Sequence, residues 1–223
     1  MRPVVIGAVF AAITAPYAMA HDDPSHDAIQ PKIVATDTVM ISGIDTVTIV
    51  IGDEPALTIT ERRGRTDDVE VKSTSEGLFI EAKDLGWFAS RDFSATLTLP
   101  AISILDISGS FDAEMTGVNA DTLQLTLAGS GDIIVSGRCG TLQLDTAGAM
   151  DVNAKGLVCE RAEIDAAGAS DIAVFAARAL SVEGAGSTNV RYSGDPGKVT
   201  SDVAGLGKVE AAPKEASAEE TSL

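Results

Sequence analysis

Aromatic side chains make up only 4% of the 223 residues, and the 16 Lys and Arg are outnumbered by 33 Asp and Glu. Few rings and a formal charge of -17 remove the stacking platforms and basic clusters by which a chain holds nucleic acid. Histidine is nearly absent, and His21 and His26 both stand near the start of the chain. A Ser-His-Asp or Cys-His triad on a folded body is thereby excluded. Two imidazoles in a polar stretch also give no fixed geometry for a purposeful metal site. The sequence has no Gly-x-x-x-x-Gly-Lys-Ser/Thr phosphate loop and no Cys-x-x-Cys pair. Beyond position 20 no run of about 20 apolar residues occurs, so no spanning helix is expected there. What is present suffices for a fold: 45% of residues are hydrophobic, too many for a disordered chain, and 21 are glycine.

The two ends read differently from the body. Met1-Arg2 is a short positive start, residues 4–15 are mostly apolar, and Ala18-Met19-Ala20 has the small-x-small pattern of a cleavage site. Residues 1–20 are therefore expected to be a secretory signal peptide, which places the chain in the periplasm or at the exterior of a bacterium. Residues 21–32, polar and carrying Pro24 and Pro31, read as a flexible lead-in. Residues 212–223, holding Ala, Glu, Lys, Ser and Thr, read as a disordered acidic tail, leaving 33–211 as one domain.

That domain is organised by a repeat. Gly109, Gly129, Gly148, Gly168, Gly186 and Gly205 follow one another at intervals of 18 to 20 residues. Leu105, Leu125, Leu144, Ile164, Val182 and Ser201 stand four residues before them, and Ala113, Ile133, Val152, Ile172, Val190 and Val209 four residues after. Apolar and polar residues alternate on both sides of each glycine, a period of two that specifies strands. A unit of two or three short strands cannot bury its apolar face alone, whereas stacking the units does. The spacing predicts a parallel β-helix or related solenoid with coils of about 19 residues and equivalent positions about 4.8 Å apart. A β-sandwich is the competing all-β architecture, but its hairpins require no fixed recurrence of turn residues. The first half alternates less regularly, in Val39–Ile41, Val47–Ile51, Leu57–Ile59, Val69–Val71, Leu78–Ile80 and Ala95–Leu99, and reads as opening coils and a cap. Residues 85–93, with the lone Trp87 and Phe88, break the alternation and read as a loop over the coil, or else as a contact patch.

Several of these segments together are similar to a known family. The exported leader, Ser42-Gly43-Ile44-Asp45, Glu76-Gly77-Leu78, Leu97-Thr98-Leu99-Pro100 and the serial Ser/Ala-Gly-Ser/Ala-x-Asp turns resemble the head GIN domain of bacterial envelope proteins. The resemblance covers residues 33–211. It implies a right-handed, single-stranded parallel β-helix in an exported, adhesin-like protein, and it carries no catalytic residues.

Two features of the repeat have chemical content. Cys139 and Cys159 each precede the next repeat glycine by nine residues, so they fall at matching positions on adjacent coils. That separation, in an oxidising compartment, predicts a Cys139–Cys159 disulfide. Asp112, Asp132, Asp151 and Asp171 each follow a repeat glycine by three residues, with Asn189 and Lys208 completing the column. One reading is structural, each carboxylate accepting hydrogen bonds from its turn backbone. The other is a Ca²⁺ ladder on hard oxygen ligands, weakened because the Gly-Gly-x-Gly-x-Asp calcium repeat is missing.

Parallel β-helices also host polysaccharide lyases and hydrolases, whose sites need paired carboxylates and sugar-stacking rings in a groove. The rings available are Trp87, Phe88, Phe93, Phe111, Phe175 and Tyr192, and the carboxylates recur at turns as scaffold does. The sequence is therefore read as a non-catalytic binding or structural module of the cell envelope without cofactor. Its expected partner is an envelope protein or a surface glycan.

Overall fold

The computed structural model describes residues 28–63, 68–83 and 92–213. The signal peptide, most of the lead-in with both histidines, Trp87, Phe88 and nearly all of the tail lie outside these residues. Alternating polar and apolar residues produce strands throughout, and the described residues contain no α-helix. In chain order the strands are β1 (Ala28–Ile29), β2 (Thr38–Ser42), β3 (Thr46–Ile51), β4 (Ala56–Arg63), β5 (Val69–Ser73), β6 (Leu78–Ala82) and β7 (Asp92–Leu99). They are followed by β8 (Ile104–Ser193), β9 (Lys198–Gly205) and β10 (Lys208–Ala211). All ten belong to one sheet.

The 90 residues of β8 are continuous strand. Straight, they would reach roughly 300 Å at about 3.3 Å per residue. The pairing shows that β8 winds back on itself. Its first residues lie parallel to β2 and β3, with Thr38 opposite Ile104 and Thr46 opposite Asp112. Its last residues lie parallel to β9 and β10, with Gly186 opposite Gly205 and Asn189 opposite Lys208. Both of the latter pairings are offset by 19 residues, the interval read from the sequence.

The repeat glycines fix this register. All six have φ between 117° and 135°, a region closed to residues with a Cβ. They also stack: a methyl group placed on Gly129, Gly148, Gly168, Gly186 or Gly205 would collide with the carbonyl oxygen of the preceding repeat glycine. Gly43 adds a seventh rung below Gly109, donating its N–H to the Ser108 carbonyl at 3.1 Å.

Inside the stack, Leu105, Leu125, Leu144, Ile164 and Val182 form one buried column and Ala113, Ile133, Val152, Ile172 and Val190 another. Across each glycine corner the two inward residues balance in size along much of the stack. The pairs include Leu127 with Gly131, Thr146 with Met150, and Gly184 with Thr188, a larger residue facing a smaller one across the narrow interior. Thr146 and Ser170 are buried hydroxyls on successive coils, 3.3 Å apart and hydrogen-bonded to each other. Thr188 is fully buried and its Oγ1 has no hydrogen-bond partner among the described residues.

The sheet departs from the all-parallel expectation in the first half, because it is mixed. β5 and β6 pair antiparallel, as do β4 and β7, and β1 and β4. The β5–β6 case has a local cause: Thr74 closes a tight turn through its N–H to the Gly77 carbonyl at 3.0 Å, and so short a connection joins only antiparallel strands. β6 and β7 remain parallel to β2 and β3, so one further coil-like layer lies beyond β2 and β3 before antiparallel β5 and β4, with β1 outside β4. The strand order is open, running from β1 to β5 with β9 and β10 at the far end of β8.

Candidate functional site

The register converts sequence positions into columns on flat faces. Asp112, Asp132, Asp151 and Asp171 all lie exposed, three residues beyond stacked glycines. Only the last is joined to its neighbour by a side-chain bond, the Asn189 Nδ2 donating to Asp171 Oδ1 at 3.0 Å. Lys208 lies beside Asn189 on the next strand and places a cation at the column's end. At the other end the Asp112 N–H donates to the Asp45 carbonyl at 2.7 Å, and the Asp45 carboxylate accepts from the Phe93 N–H at 2.9 Å. A shallow hollow there is lined by Asp45, Ser110, Asp112, Ser130 and Asp132. Among the described residues no three His, Cys, Asp or Glu side chains converge as a cation site would require.

A second polar face lies on the other side of the glycine corner, and the sequence reading did not single it out. Three residues before the glycines stand Asp106, Asp145, Asp165, Glu183 and Asp202, interrupted by Thr126. Beside them Gln143, Glu163 and Ser181 help line a broad, open concavity with Asp145, Asp165 and Glu183. Gln143 Nε2 donates to Glu163 Oε2 at 3.4 Å, linking two coils. Partial burial pushes the Asp106 carboxyl above the usual carboxylate range, since desolvation disfavours the charged form. Applying the glycine alignment to the residue three places earlier would have revealed this column.

Most other cations are placed elsewhere. Arg138, Lys155, Arg161 and Arg178 fall in the segments between the two glycine-flanking strands, on the remaining side of each coil. Arg178 reaches Glu160 at 3.5 Å there. The same side carries the disulfide: Cys139 and Cys159 are bonded, buried, and 4.5 Å apart at Cα. The predicted Cys139–Cys159 pairing is present.

The rings considered for sugar stacking do not form a row. Phe93 and Phe111 are core residues, Phe175 and Tyr192 are half-buried, and Trp87 and Phe88 lie outside the described residues.

Comparison with known proteins gives a consistent outcome. A family model described as "Putative auto-transporter adhesin, head GIN domain" matches residues 36–196. Among solved structures, one described as a putative adhesin from Bacteroides fragilis superposes with TM-score 0.67 at 16% identity, covering 85% of this chain and 99% of its own. A second, from Parabacteroides distasonis and described as a putative lipid binding protein, has TM-score 0.51 and 18% identity, covering 86% and 98%. A third, described as a putative adhesin from Parabacteroides merdae, has TM-score 0.52 and 15% identity, with the same coverage. At these identities the likeness speaks for the fold. No curated protein matches.

Proposed function

The chain belongs to the head GIN domain family of putative auto-transporter adhesins, and on that premise we propose that it is an exported, non-catalytic binding module of the bacterial cell envelope. In this reading β8 to β10 wind as a right-handed, single-stranded parallel β-helix. The 19-residue parallel offsets and the glycine stack support that winding.

The observation that carries the function is the pair of flat faces flanking the glycine corner. One displays Asp112, Asp132, Asp151 and Asp171; the other Asp145, Glu163, Asp165 and Glu183. Strands fixed by backbone ladders hold such side chains at about 4.8 Å intervals, a spacing suited to polar recognition of an extended surface. A surface glycan or an envelope protein supplies the matching hydroxyls or cations. The apolar core stays closed beneath, so recognition requires no rearrangement of the fold.

The test is binding of the labelled protein to bacterial envelope preparations, with and without prior removal of glycan. Asparagine replacements of the four column aspartates are compared with replacements of the other face. Saturable binding that one face's variants abolish is the expected result; equal background binding by every variant would overturn the proposal. Cell fractionation with protease accessibility places the protein in the periplasm or outside.

A further inference from the structure

The two ends of the coil stack differ in how they meet solvent. Beyond β2 and β3 the outermost layer is antiparallel β5 and β4, with the short β1 outside β4, and the core residues Leu57, Ile59 and Val69 of β4 and β5 are buried. The exposed Glu70 and Lys72 of β5 form an ion pair at 3.0 Å along that edge. Charges on an edge strand discourage further pairing.

At the opposite end β10 carries a similar pair, Lys208 with Glu210 at 3.4 Å, whereas on β9 Lys198 and Asp202 have no ion-pair partner among the described residues and no antiparallel strand lies outside it. β9 pairs with β8 on one side, and no described strand pairs with its other edge. No residue of β9 is buried, although Val199 and Val203 stand at inward positions, with Val199 directly opposite the buried Leu180. Val199 is 42% exposed and Leu206, at the same end, 82%. An unpaired edge backed by uncovered apolar residues is a template for another strand.

We propose that this edge is covered by a second copy of the chain, β9 pairing antiparallel with β9 of the other copy about a two-fold axis at Ser201. Antiparallel pairing about Ser201 sets Val199 opposite Val203 of the other copy and Thr200 opposite Asp202. Seven residues of each strand, 198 to 204, then lie in register. The inward positions stay inward, so the two apolar columns become continuous. Lys198 comes diagonally within reach of Asp202 of the other copy, a favourable cross-strand pairing of charges. Shifting the axis to Asp202 would oppose two like charges, which selects against that register.

Head-to-tail stacking is disfavoured because the far edge is antiparallel β5 bearing the exposed Glu70–Lys72 pair, so association stops at a symmetric pair and builds no fibre. The chain's own last ten residues are poor candidates for the cover. Residues 214–223 include Ala216, Ala218 and Leu223 as their apolar members, against four charged residues, Lys214, Glu215, Glu219 and Glu220.

Sedimentation of the full chain at tens of micromolar tests the proposal. The expected result is a dimer that tightens as salt rises, because two chains of charge -17 repel. Ser201→Cys should cross-link the dimer through that residue under oxidation, directly opposed residues lying within disulfide reach. Val199→Lys should weaken dimerisation about tenfold or more by placing an unpaired charge in the interface. Circular dichroism verifies that each variant keeps its fold. A monomer at every salt concentration would overturn the proposal. So would a dimer that Ser201→Cys fails to cross-link, or a dimer seen only after residues 214–223 are removed.

Discussion

Thr188 offers a sharp test of how the narrow interior is packed. Its hydroxyl is fully buried and finds no partner among the described residues, whereas the Thr146 hydroxyl meets Ser170 at 3.3 Å. The two cases are equivalent by position: Thr146 and Ala166 stand two residues before a stacked glycine, and Ser170 and Thr188 two residues after the next one. Where the hydroxyl partnering Thr188 would stand, the chain has Ala166. Leaving a buried hydroxyl unpaired costs about 1–3 kcal/mol. Thr188→Val keeps the shape and removes the polar atom, so it should stabilise the fold by at least about 1 kcal/mol, or about 2–4 °C in Tm for a chain of this size. Ala166→Ser should also raise Tm, by supplying the missing partner. Thr146→Val orphans Ser170 and should lower Tm by a similar amount. Thermal unfolding followed by circular dichroism and calorimetry reads all three. A lowered Tm for Thr188→Val, or an unchanged Tm for Thr146→Val, would refute the reasoning.

Other perturbations have equally definite outcomes. Gly148→Ala forces a Cβ into the Gly129 carbonyl at φ 125° and should cost more than about 3 kcal/mol, read as loss of the folded transition in urea. Reducing Cys139–Cys159, or replacing both cysteines by Ala, releases a loop of 20 residues and should lower stability by about 3 kcal/mol, measured as the difference between oxidised and reduced unfolding curves. Asp106 binds its proton more tightly folded than unfolded, so its contribution falls as pH rises through the carboxylate range. Asp106→Asn should therefore stabilise at neutral pH, with the gain fading under acid; a pH-independent gain would contradict the assignment. Calcium and chelator should give the same unfolding midpoint, since no described cluster gathers three acidic ligands.

The sequence announced the second half of the fold more clearly than the first, for a physical reason. From Gly109 onward each coil must pass a corner where only glycine fits, because the backbone of the coil below lies against the missing Cβ. That constraint recurs visibly as an interval. Gly43 obeys the same constraint, but β4 to β7 intervene before Gly109, so no interval exposes it. Antiparallel pairing in the first half follows from turns such as residues 74–77, whose geometry depends on backbone hydrogen bonds more than on apolar period. The cysteines were legible because both sit nine residues before a glycine. The acidic face holding Asp145, Asp165 and Glu183 was open to the same alignment, but Thr126 interrupts it and strand-face charges read as ordinary solvated residues. Nothing in the sequence marks the Thr188 hydroxyl as unpaired, because its environment is set by Ala166 one coil away.

The central claim, that successive coils lie in vertical register on the glycine ladder, is tested most directly by a second engineered disulfide. Asp132 and Asp151 occupy the same position on neighbouring coils, so their Cα atoms should lie about 4.8 Å apart, and cysteines there should bridge on oxidation. Asp132 and Asp171 are two coils apart, about 9.6 Å by the same spacing, too far for a bridge. Peptide mapping by mass spectrometry of the two double-cysteine variants should find the 132–151 linkage formed and the 132–171 thiols free. Free thiols in the first variant, or a 132–171 bridge in the second, would contradict the account.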